Sequence, residues 1–290
     1  MAEAWTVRRV ITWLYGDLQK RGIDSARLEA DLLVAHALKQ KRLALYLDLD
    51  RPLEDAELRT VRALVERRRA FEPIAYILGE REFYGRGFEV NRDVLIPRPD
   101  TETLVEQALL TLRSGDDAAR VLDLCTGSGA VALTLAAELP ARRILATDVS
   151  AAALSVATRN AERLGLSERV ELRQGDLFAA VPAGERFAAI TANPPYVGAE
   201  ELLTLAPDVR DHEPALALDA GADALSFYRR IAQDAPRFLA PGASLLVEVG
   251  YTQASAVQAL FSAAGLLEVR SAKDLAGTER VVIGRYAGAG

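Results

Sequence analysis

The fold of this sequence is indicated by the stretch VLDLCTGSGA, residues 121–130. Its apolar start predicts a buried strand over 120–124, and a helix follows over 130–138. The small residues between them, 125–129, let the backbone turn sharply and aim the first N–H groups of the helix at a ligand. We call residues 125–129 the glycine turn. A tight strand-to-helix turn without a ligand is the alternative interpretation.

An acidic residue ends the next predicted strand. Gly127, Gly129 and Ala132 fit the glycine pattern of dinucleotide-binding turns, and Asp148 lies 19 residues beyond Gly129. At that place a carboxylate accepts hydrogen bonds from both hydroxyls of a ribose. The pattern favours an adenosine-containing ligand, with a helix N-cap as the other role for Asp148.

Outward from the glycine turn, short apolar runs alternate with segments of helical periodicity. We predict helices over 101–112, 130–138, 151–164, 225–239 and 254–264, and strands over 120–124, 143–147, 170–172, 187–192, 244–249, 267–271 and 279–286. This alternation is typical of an α/β fold with a mostly parallel sheet covered on both faces. The last two strands have no helix between them, so we expect them to pair antiparallel.

The residues before the sheet follow other patterns. Apolar residues at helical spacing between 5 and 69 predict several short helices, and the alternating run 82–90 predicts a β-hairpin. We expect a helical domain over 1–71, to which the family resemblance given below adds the role of substrate recognition, a connector with the hairpin over 72–97, and the sheet domain over 98–290. A basic run on the last helix predicts a solvated face or a docking surface for a protein partner. It consists of Arg59, Arg62, Arg67, Arg68 and Arg69.

Composition and charge narrow the function. Of the 290 residues, 50% are hydrophobic and 26% charged, an ordinary balance for a protein with a buried core. The formal net charge of −6 argues against a broad basic surface along a nucleic-acid backbone. The single cysteine excludes an internal disulfide, and with two histidines it makes a structural zinc site unexpected. Without a signal peptide or an apolar run of membrane-spanning length, we predict a soluble, cytoplasmic protein that binds no metal.

The strand predicted over 187–192 ends in Asn193-Pro194-Pro195-Tyr196. Its two prolines hold the loop extended without N–H donors, which leaves carbonyl oxygens facing a cleft. The side-chain oxygen of Asn193 and the carbonyl oxygen of Pro194 can each accept one hydrogen from a planar NH2 group. Tyr196 can lie against the flat face of that group, so the nitrogen is directed at an electrophile. A stiffened loop without chemistry is the alternative.

A methyl group on a sulfonium is the electrophile that fits such a site. Its transfer in a straight line from sulfur to nitrogen depends on positioning in a dry pocket and needs no metal. A nicotinamide-dependent dehydrogenase, the other enzyme that the glycine pattern suggests, gains nothing from the proline loop. The residues therefore favour methyl transfer to an NH2 group.

The chain resembles the S-adenosylmethionine-dependent methyltransferases that share an Asn-Pro-Pro-Tyr loop, and within them the release factor glutamine methyltransferase (HemK/PrmC) family. The resemblance spans nearly the whole sequence. Its motifs are at 72–79, 81–83, 95–102, 122–129, 193–196, 212–214 and 279–281. The run Ile-Pro-Arg-Pro-Asp-Thr-Glu at 96–102 is specific to the family, whereas the Asn-Pro-Pro-Tyr loop also occurs in adenine methyltransferases.

The resemblance implies a Rossmann-like sheet with an antiparallel last strand, and methylation of the glutamine side-chain amide in the Gly-Gly-Gln motif of class I peptide chain release factors. It assigns the catalytic role to Asn193, Pro194 and Tyr196. Substrate binding falls to the same three residues with Pro195 and Arg98. The implied cofactor is S-adenosyl-L-methionine, and the product is S-adenosyl-L-homocysteine. Cofactor contacts are implied for Asp123, Cys125, Thr126, Gly127, Ser128, Gly129, Asp148, Asp176, Leu177 and Asn193.

Two positions depart from the family pattern. Cys125 stands where glycine is common, and Leu177 replaces an aromatic residue of some relatives. Because Cys125 is small and Leu177 can still cover the face of an adenine, we expect altered cofactor affinity with retained activity.

Two other functions remain as hypotheses. One is an adenine N6-methyltransferase acting on DNA or RNA, which the acidic net charge disfavours because such an enzyme needs many phosphate contacts. The other is a non-catalytic scaffold that binds the cofactor or a release factor, and the intact Asn-Pro-Pro-Tyr loop argues against it. We expect a monomer whose partner is a class I release factor, with no direct contact to nucleic acid or membrane.

Overall fold

The computed structural model describes residues 4–113 and 119–288. The chain divides into two compact units, Met1–Gly79 with Pro207–His212, and Glu80–Ala206 with Glu213–Gly290. The domain limits that the sequence suggested, after residues 71 and 97, stay a prediction.

The first unit is helical, as predicted. Its first five helices are α1 (Val7–Lys20), α2 (Ala26–Ala37), α3 (Arg42–Leu45), α4 (Asp55–Arg69) and α5 (Ile74–Leu78). Thr6 begins α1, since its hydroxyl accepts a hydrogen bond from the backbone N–H of Arg9 at 3.4 Å. The apolar positions at helical spacing are buried, and Leu14, Leu18 and Leu33 are fully enclosed in one core.

Three of the five arginines in the basic run are paired with acids of the same unit. The pairs are Arg67–Glu72 at 2.8 Å, Arg68–Glu29 at 2.5 Å and Arg69–Asp17 at 2.9 Å. The Arg68 side chain is 5% exposed, so its charge lies inside the unit. Arg59 and Arg62 are exposed. Three of the five arginines therefore pair within the helical unit, which leaves less of the basic run for a protein partner than the sequence suggests.

A β-hairpin begins the second unit, which confirms the prediction from the alternating run. Strands β1 (Glu80–Phe83) and β2 (Arg86–Glu89) pair antiparallel, with Phe83 opposite Arg86. Tyr84 and Gly85 form the two-residue turn with φ of 49° and 70°. Positive φ at both turn residues matches the twist of the two strands, which is why a tyrosine accepts this conformation.

The main sheet has seven strands. They are β3 (Val121–Leu124), β4 (Ile144–Asp148), β5 (Val170–Gln174), β6 (Phe187–Ala192), β7 (Leu239–Glu248), β8 (Leu267–Lys273) and β9 (Glu279–Arg285). Their order is β5-β4-β3-β6-β7-β9-β8. The strands from β5 to β7 pair parallel, and β9 runs antiparallel to both β7 and β8. The expected mostly parallel sheet with an antiparallel last strand is thus confirmed.

Helices cover both faces of this sheet. They are α6 (Glu102–Leu112), α7 (Ala130–Glu138), α8 (Ala151–Arg163), α12 (Ser226–Asp234) and α13 (Ala254–Ala263). The short helices α9 (Ala199–Leu202) and α11 (Ala215–Leu218) also belong to the second unit, and α10 (Pro207–Arg210) belongs to the first. Successive β3 residues enter different cores: Val121 packs with α6 and α7, and Leu122 packs with α12 and α13. This alternation follows from the period of two along a strand. No helix within the described ranges is long and apolar enough to span a membrane.

One helix and one strand differ from the prediction. The helix expected over 225–239 ends at Asp234, and Ala235–Arg237 form a 3-10 turn. Pro236 accounts for this end, because a proline has no N–H to donate to the carbonyl oxygen four residues earlier and so cannot continue the helix. Strand β7 then begins at Leu239, five residues earlier than expected, and its register against β6 shifts between Phe187 and Ala189. Such an irregularity lets Pro241 lie within strand β7.

Candidate active site

The register of the parallel strands brings three separate stretches to one edge of the sheet. Leu124 pairs with Thr147 of β4 and with Ala192 of β6. The residues that follow these strands are therefore neighbours: the glycine turn, Asp148 and Asn193. Ligands bind at this edge in open α/β sheets.

The glycine turn has a left-handed backbone at three of its five residues. The φ angles are 57° at Cys125, 55° at Gly127 and 81° at Gly129. A side chain in this conformation costs about 1–2 kcal/mol, which gives a physical reason for the glycine that the resemblance leads us to expect at position 125. Leu177, the other departure, also has a positive φ, of 50°. Both unusual residues therefore stand where the backbone favours glycine.

Asp148 holds the glycine turn in place. Its Oδ2 accepts a hydrogen bond from the backbone N–H of Gly127 at 2.8 Å, and its Oδ1 accepts one from the N–H of Ser150 at 2.9 Å. Ser150, not Asp148, is the N-cap of α8, since its hydroxyl accepts from the N–H of Ala153. Each carboxylate oxygen can accept a second hydrogen bond, so Asp148 retains an acceptor for each hydroxyl of a ribose. Burial raises the pKa of Asp148.

Asp123 offers an unused acceptor in the same place. The residue is 1% exposed, and its Oδ1 accepts a hydrogen bond from the hydroxyl of Thr191 at 2.7 Å. Its Oδ2 has no partner within the part of the chain that the structure describes. The nearby Thr126 acts to lower the pKa of Asp123, although its hydroxyl does not meet the geometry of a hydrogen bond. Burial raises the pKa of Asp123 to about 6. A buried carboxylate oxygen of this kind suits a cationic donor.

These groups surround a pocket in the second unit, with about 1060 Å³ of empty space including its open mouth. The predicted residues that line it are Arg98, Asp123, Cys125, Thr126, Gly127, Ser128, Asp148, Asp176, Leu177, Asn193 and Pro195. Gly129, Pro194 and Tyr196 are outside the lining and adjoin it in the chain. The structure thus collects nearly all predicted site residues around one pocket.

The pocket has an aromatic side chain that the sequence reading missed. Phe227 of α12 lines it together with Leu177. Arg230 lies over the Phe227 ring, 5.7 Å from its centroid, and pairs with Asp176 at 2.5 Å. No local sequence pattern identifies Phe227 as a pocket residue. Its helix is far along the chain from the glycine turn, and only the fold brings the two together. A flat apolar ligand part can therefore contact Phe227, although Leu177 replaces an aromatic residue.

The Asn-Pro-Pro-Tyr loop is fixed from outside the pocket. Pro194 and Pro195 are buried. Gln253 donates a side-chain hydrogen bond to the carbonyl oxygen of Tyr196 at 2.9 Å and accepts one from the N–H of Gly250 at 3.0 Å. Burial raises the pKa of the Tyr196 hydroxyl, which keeps the ring neutral. The two prolines restrict the backbone of the loop, and Gln253 holds its end.

Arg98 lines the pocket, and an ion pair holds its side chain. Its guanidinium donates to Glu213 Oε1 at 2.5 Å, and Glu213 Oε2 accepts from the backbone N–H of Ile96 at 3.2 Å. The Glu213 side chain is 1% exposed, so the pair is anchored from the interior. Arg98 therefore orders the segment before α6, and its predicted contact with substrate stays a prediction.

Glu248 is a second buried acid in this region, and the sequence analysis did not predict it. Glu248, the last residue of β7, is 1% exposed, and its Oε2 has no partner within the described residues. Burial raises its pKa to about 7, while Thr101 and Asn193 favour its ionised form. The amide of Asn193 donates to the hydroxyl of Thr101 at 3.4 Å. The signal in the sequence was a single charge within the apolar run 244–249.

Fold and pocket together define the class of protein. Residues 101–207 match the methyltransferase small domain family, and residues 9–79 match the PrmC N-terminal domain family. The crystal structure of a methyltransferase from Pyrococcus furiosus is 19% identical and covers 80% of this chain and 99% of its own, with a TM-score of 0.52. That likeness concerns the fold alone. The chain is a methyltransferase with a Rossmann-like sheet, a class of domain that uses S-adenosylmethionine.

Curated relatives define the family. A release factor glutamine methyltransferase of Geobacter sulfurreducens is 46% identical over 284 residues, 98% of this chain and 98% of the relative. One from Cereibacter sphaeroides is 48% identical over 268 residues, 92% of this chain and 94% of the relative. The chain therefore belongs to the release factor glutamine methyltransferase family, which confirms the resemblance.

Replacing Gly129 by alanine tests the geometry of the glycine turn. A Cβ there would lie 2.9 Å from Leu133 Cδ1 and 3.3 Å from Ala157 Cβ, at a φ of +81°. Gly165→Ala is the matched control, since its φ is +68° and nothing lies within 4 Å of the added atom. We expect Gly165→Ala to lower the free energy of unfolding by about 1 kcal/mol and Gly129→Ala by about 2 kcal/mol. Urea denaturation measures both, and equal losses would contradict the crowding at Gly129.

Proposed function

We propose that this protein transfers a methyl group from S-adenosyl-L-methionine to N5 of the glutamine side chain in the Gly-Gly-Gln motif of class I peptide chain release factors, and releases S-adenosyl-L-homocysteine. The observation that carries the proposal is the identity of 46% with a named release factor glutamine methyltransferase over 98% of both chains. The pocket supports it, because the glycine turn, the acid of β4 and the proline loop meet there.

The cofactor fits the acceptors of the pocket. When bound, S-adenosylmethionine supplies an electrophilic methyl group on a positively charged sulfur. We assign its amino group to the unused Oδ2 of Asp123, and its ribose hydroxyls to Asp148. The glycine turn lets the backbone lie close to the ligand. Asp176 and Leu177 would flank the adenine, with Phe227 nearby.

The proline loop would hold the substrate amide. In the proposed site, Asn193 Oδ1 and the Pro194 carbonyl oxygen each accept one N–H of the glutamine side chain, and Tyr196 covers the flat face of the amide. The buried prolines exclude water from this part of the site. An amide nitrogen is a weak nucleophile, so its alignment with the electrophile supplies most of the rate. Pro195 and Arg98 complete the proposed substrate contacts.

The partner follows from the substrate. We assign recognition of the release factor to the helical unit, and propose that the protein acts as a monomer without direct contact to nucleic acid. The formal net charge of −6 supports the last point, since binding along a phosphate backbone depends on many lysines and arginines.

Mass spectrometry of an unmethylated release factor tests the proposal. After incubation with this protein and S-adenosylmethionine, we expect one added methyl group on the glutamine of the Gly-Gly-Gln peptide. An adenine-containing duplex in the same reaction is the control for the alternative substrate. Methyl groups on adenine with none on the factor would replace the proposal by an adenine methyltransferase, and no transfer to either would leave the scaffold hypothesis.

Asn193→Ala separates catalysis from cofactor binding. The variant loses the side-chain acceptor for the substrate amide, so we expect kcat to fall about 100-fold or more. The dissociation constant of S-adenosylmethionine, measured by calorimetry, should change little because Asp123 and Asp148 are intact. Wild-type turnover in the variant would remove Asn193 from the mechanism.

The affinity for S-adenosylmethionine should depend on pH through Asp123. As the pH falls through the Asp123 pKa of about 6, the carboxyl gains a proton and loses the charge that would hold the ammonium group. We expect the dissociation constant to rise by up to about tenfold per pH unit below that value. Calorimetry between about pH 5 and pH 7 measures this, and Asp123→Asn should bind more weakly with a flatter dependence. A wild-type affinity that is constant over this range would contradict the assignment.

A further inference from the structure

Glu248 lies beside the residue that would hold the substrate amide. Ala192 of β6 is paired with Val247 of β7, so Asn193 and Glu248 are the next residues of two adjacent parallel strands. Glu248 is 1% exposed, and its Oε2 lacks a partner among the residues that the structure describes. A buried carboxylate at the end of an apolar strand is costly, and packing of the strand does not require it.

The hydrogen-bonding capacity of a carboxylate determines how the neighbouring side chains are oriented. An ionised carboxylate only accepts hydrogen bonds, whereas a hydroxyl can donate one and accept others. If the Thr101 hydroxyl donates to Glu248, its oxygen is free to accept, and it accepts from the Asn193 amide nitrogen at 3.4 Å. The NH2 group of Asn193 then faces Thr101 and Glu248. Its oxygen is turned the other way, where a substrate NH2 group needs an acceptor.

We propose that Glu248 is a positioning residue for methyl transfer: together with Thr101 it fixes the orientation of the Asn193 amide, so that Oδ1 accepts a hydrogen bond from the substrate amide. This inference rests on the proposed function and adds to it a residue that acts through Asn193. It also explains why an acid, and not an apolar residue, ends β7.

The charges around Glu248 set the pH range in which it acts. Arg280 of β9 favours the ionised form, but it also pairs with Asp100 at 3.1 Å and with Asp274 at 3.2 Å. Asp100 opposes ionisation. The charge of Glu248 also acts on Tyr196 and on Tyr228, whose hydroxyl donates to the backbone carbonyl oxygen of Glu248 at 3.0 Å. Both tyrosines stay neutral, since burial raises the pKa of each. With burial dominant, the pKa of Glu248 is about 7, so its charge changes near neutral pH.

Protonation would release the constraint on Asn193. A protonated Glu248 can donate to Thr101, whose hydroxyl can then donate to Oδ1 of Asn193. The amide of Asn193 would turn over and present its NH2 group to the substrate NH2 group, two donors facing each other. The turnover rate should therefore fall as the pH decreases through about 7.

Glu248→Gln tests the inference, with Glu268→Gln on the exposed strand β8 as the matched control. At saturating S-adenosylmethionine we expect kcat of Glu248→Gln to fall about tenfold to 100-fold, because the new amide can donate to Thr101. The dissociation constant of the cofactor should stay within about twofold. Wild-type kcat should decline on the acid side of about pH 7, and this decline should be absent from Glu248→Gln and present in Glu268→Gln.

Two Thr101 variants keep the test decisive if Glu248→Gln does not fold. Thr101→Ser keeps a hydroxyl between Glu248 and Asn193, and we expect near wild-type kcat. Thr101→Ala removes it, so kcat should fall and its pH dependence should weaken. Wild-type kcat and pH profile in Glu248→Gln, or in Thr101→Ala, would overturn the inference. A wild-type protein that methylates no release factor would instead overturn the proposed function, so the two failures are distinct.

Discussion

Parallel pairing of β4, β3, β6 and β7 is the constraint on which the site depends. It brings the ends of these strands to one edge, and its register places Asp123 opposite Thr191. Because side chains alternate between faces, a slip of one residue would move Asp123 to the other side of the sheet and break the hydrogen bond to Thr191. The apolar alternation that fixes the register for packing therefore also fixes the geometry of the pocket.

Local patterns were sufficient for the fold and for the residues that chemistry marks by type. The strand over 187–192 and the helix over 130–138 have the predicted bounds, because their apolar residues follow the period of a strand or helix without interruption. The end of α12 at Asp234 could also have been predicted from the sequence, since Pro236 follows two residues later. The prediction overlooked a signal that the sequence contains.

Contacts between polar residues that are far apart in the sequence were not predictable in this way. Thr101 and Asn193 are 92 positions apart, and their contact exists only once α6 packs on the sheet. Glu248 is a single charge in the apolar run 244–249, and nothing in the sequence shows that it is buried next to Asn193. Asp148 was identified by its place, yet its bonds to the N–H groups of Gly127 and Ser150 depend on how the turn folds back on β4. The types and spacing of residues identify the groups that take part in the chemistry. Tertiary contacts identify the groups that orient them.

The two buried acids destabilise the fold that holds them. The pKa of Asp123 is raised from 3.8 to about 6 and that of Glu248 from 4.5 to about 7. A raised pKa means that the folded state binds the proton more tightly than the unfolded state, so the cost is absent below the unfolded pKa and complete above the folded one. At neutral pH each acid costs on the order of 3 kcal/mol, a large part of the stability of an ordinary domain. An apolar residue at either place would avoid that cost, so their presence is explained by what the proposed site needs: a charge for the cofactor's ammonium group and an acceptor that orients Asn193.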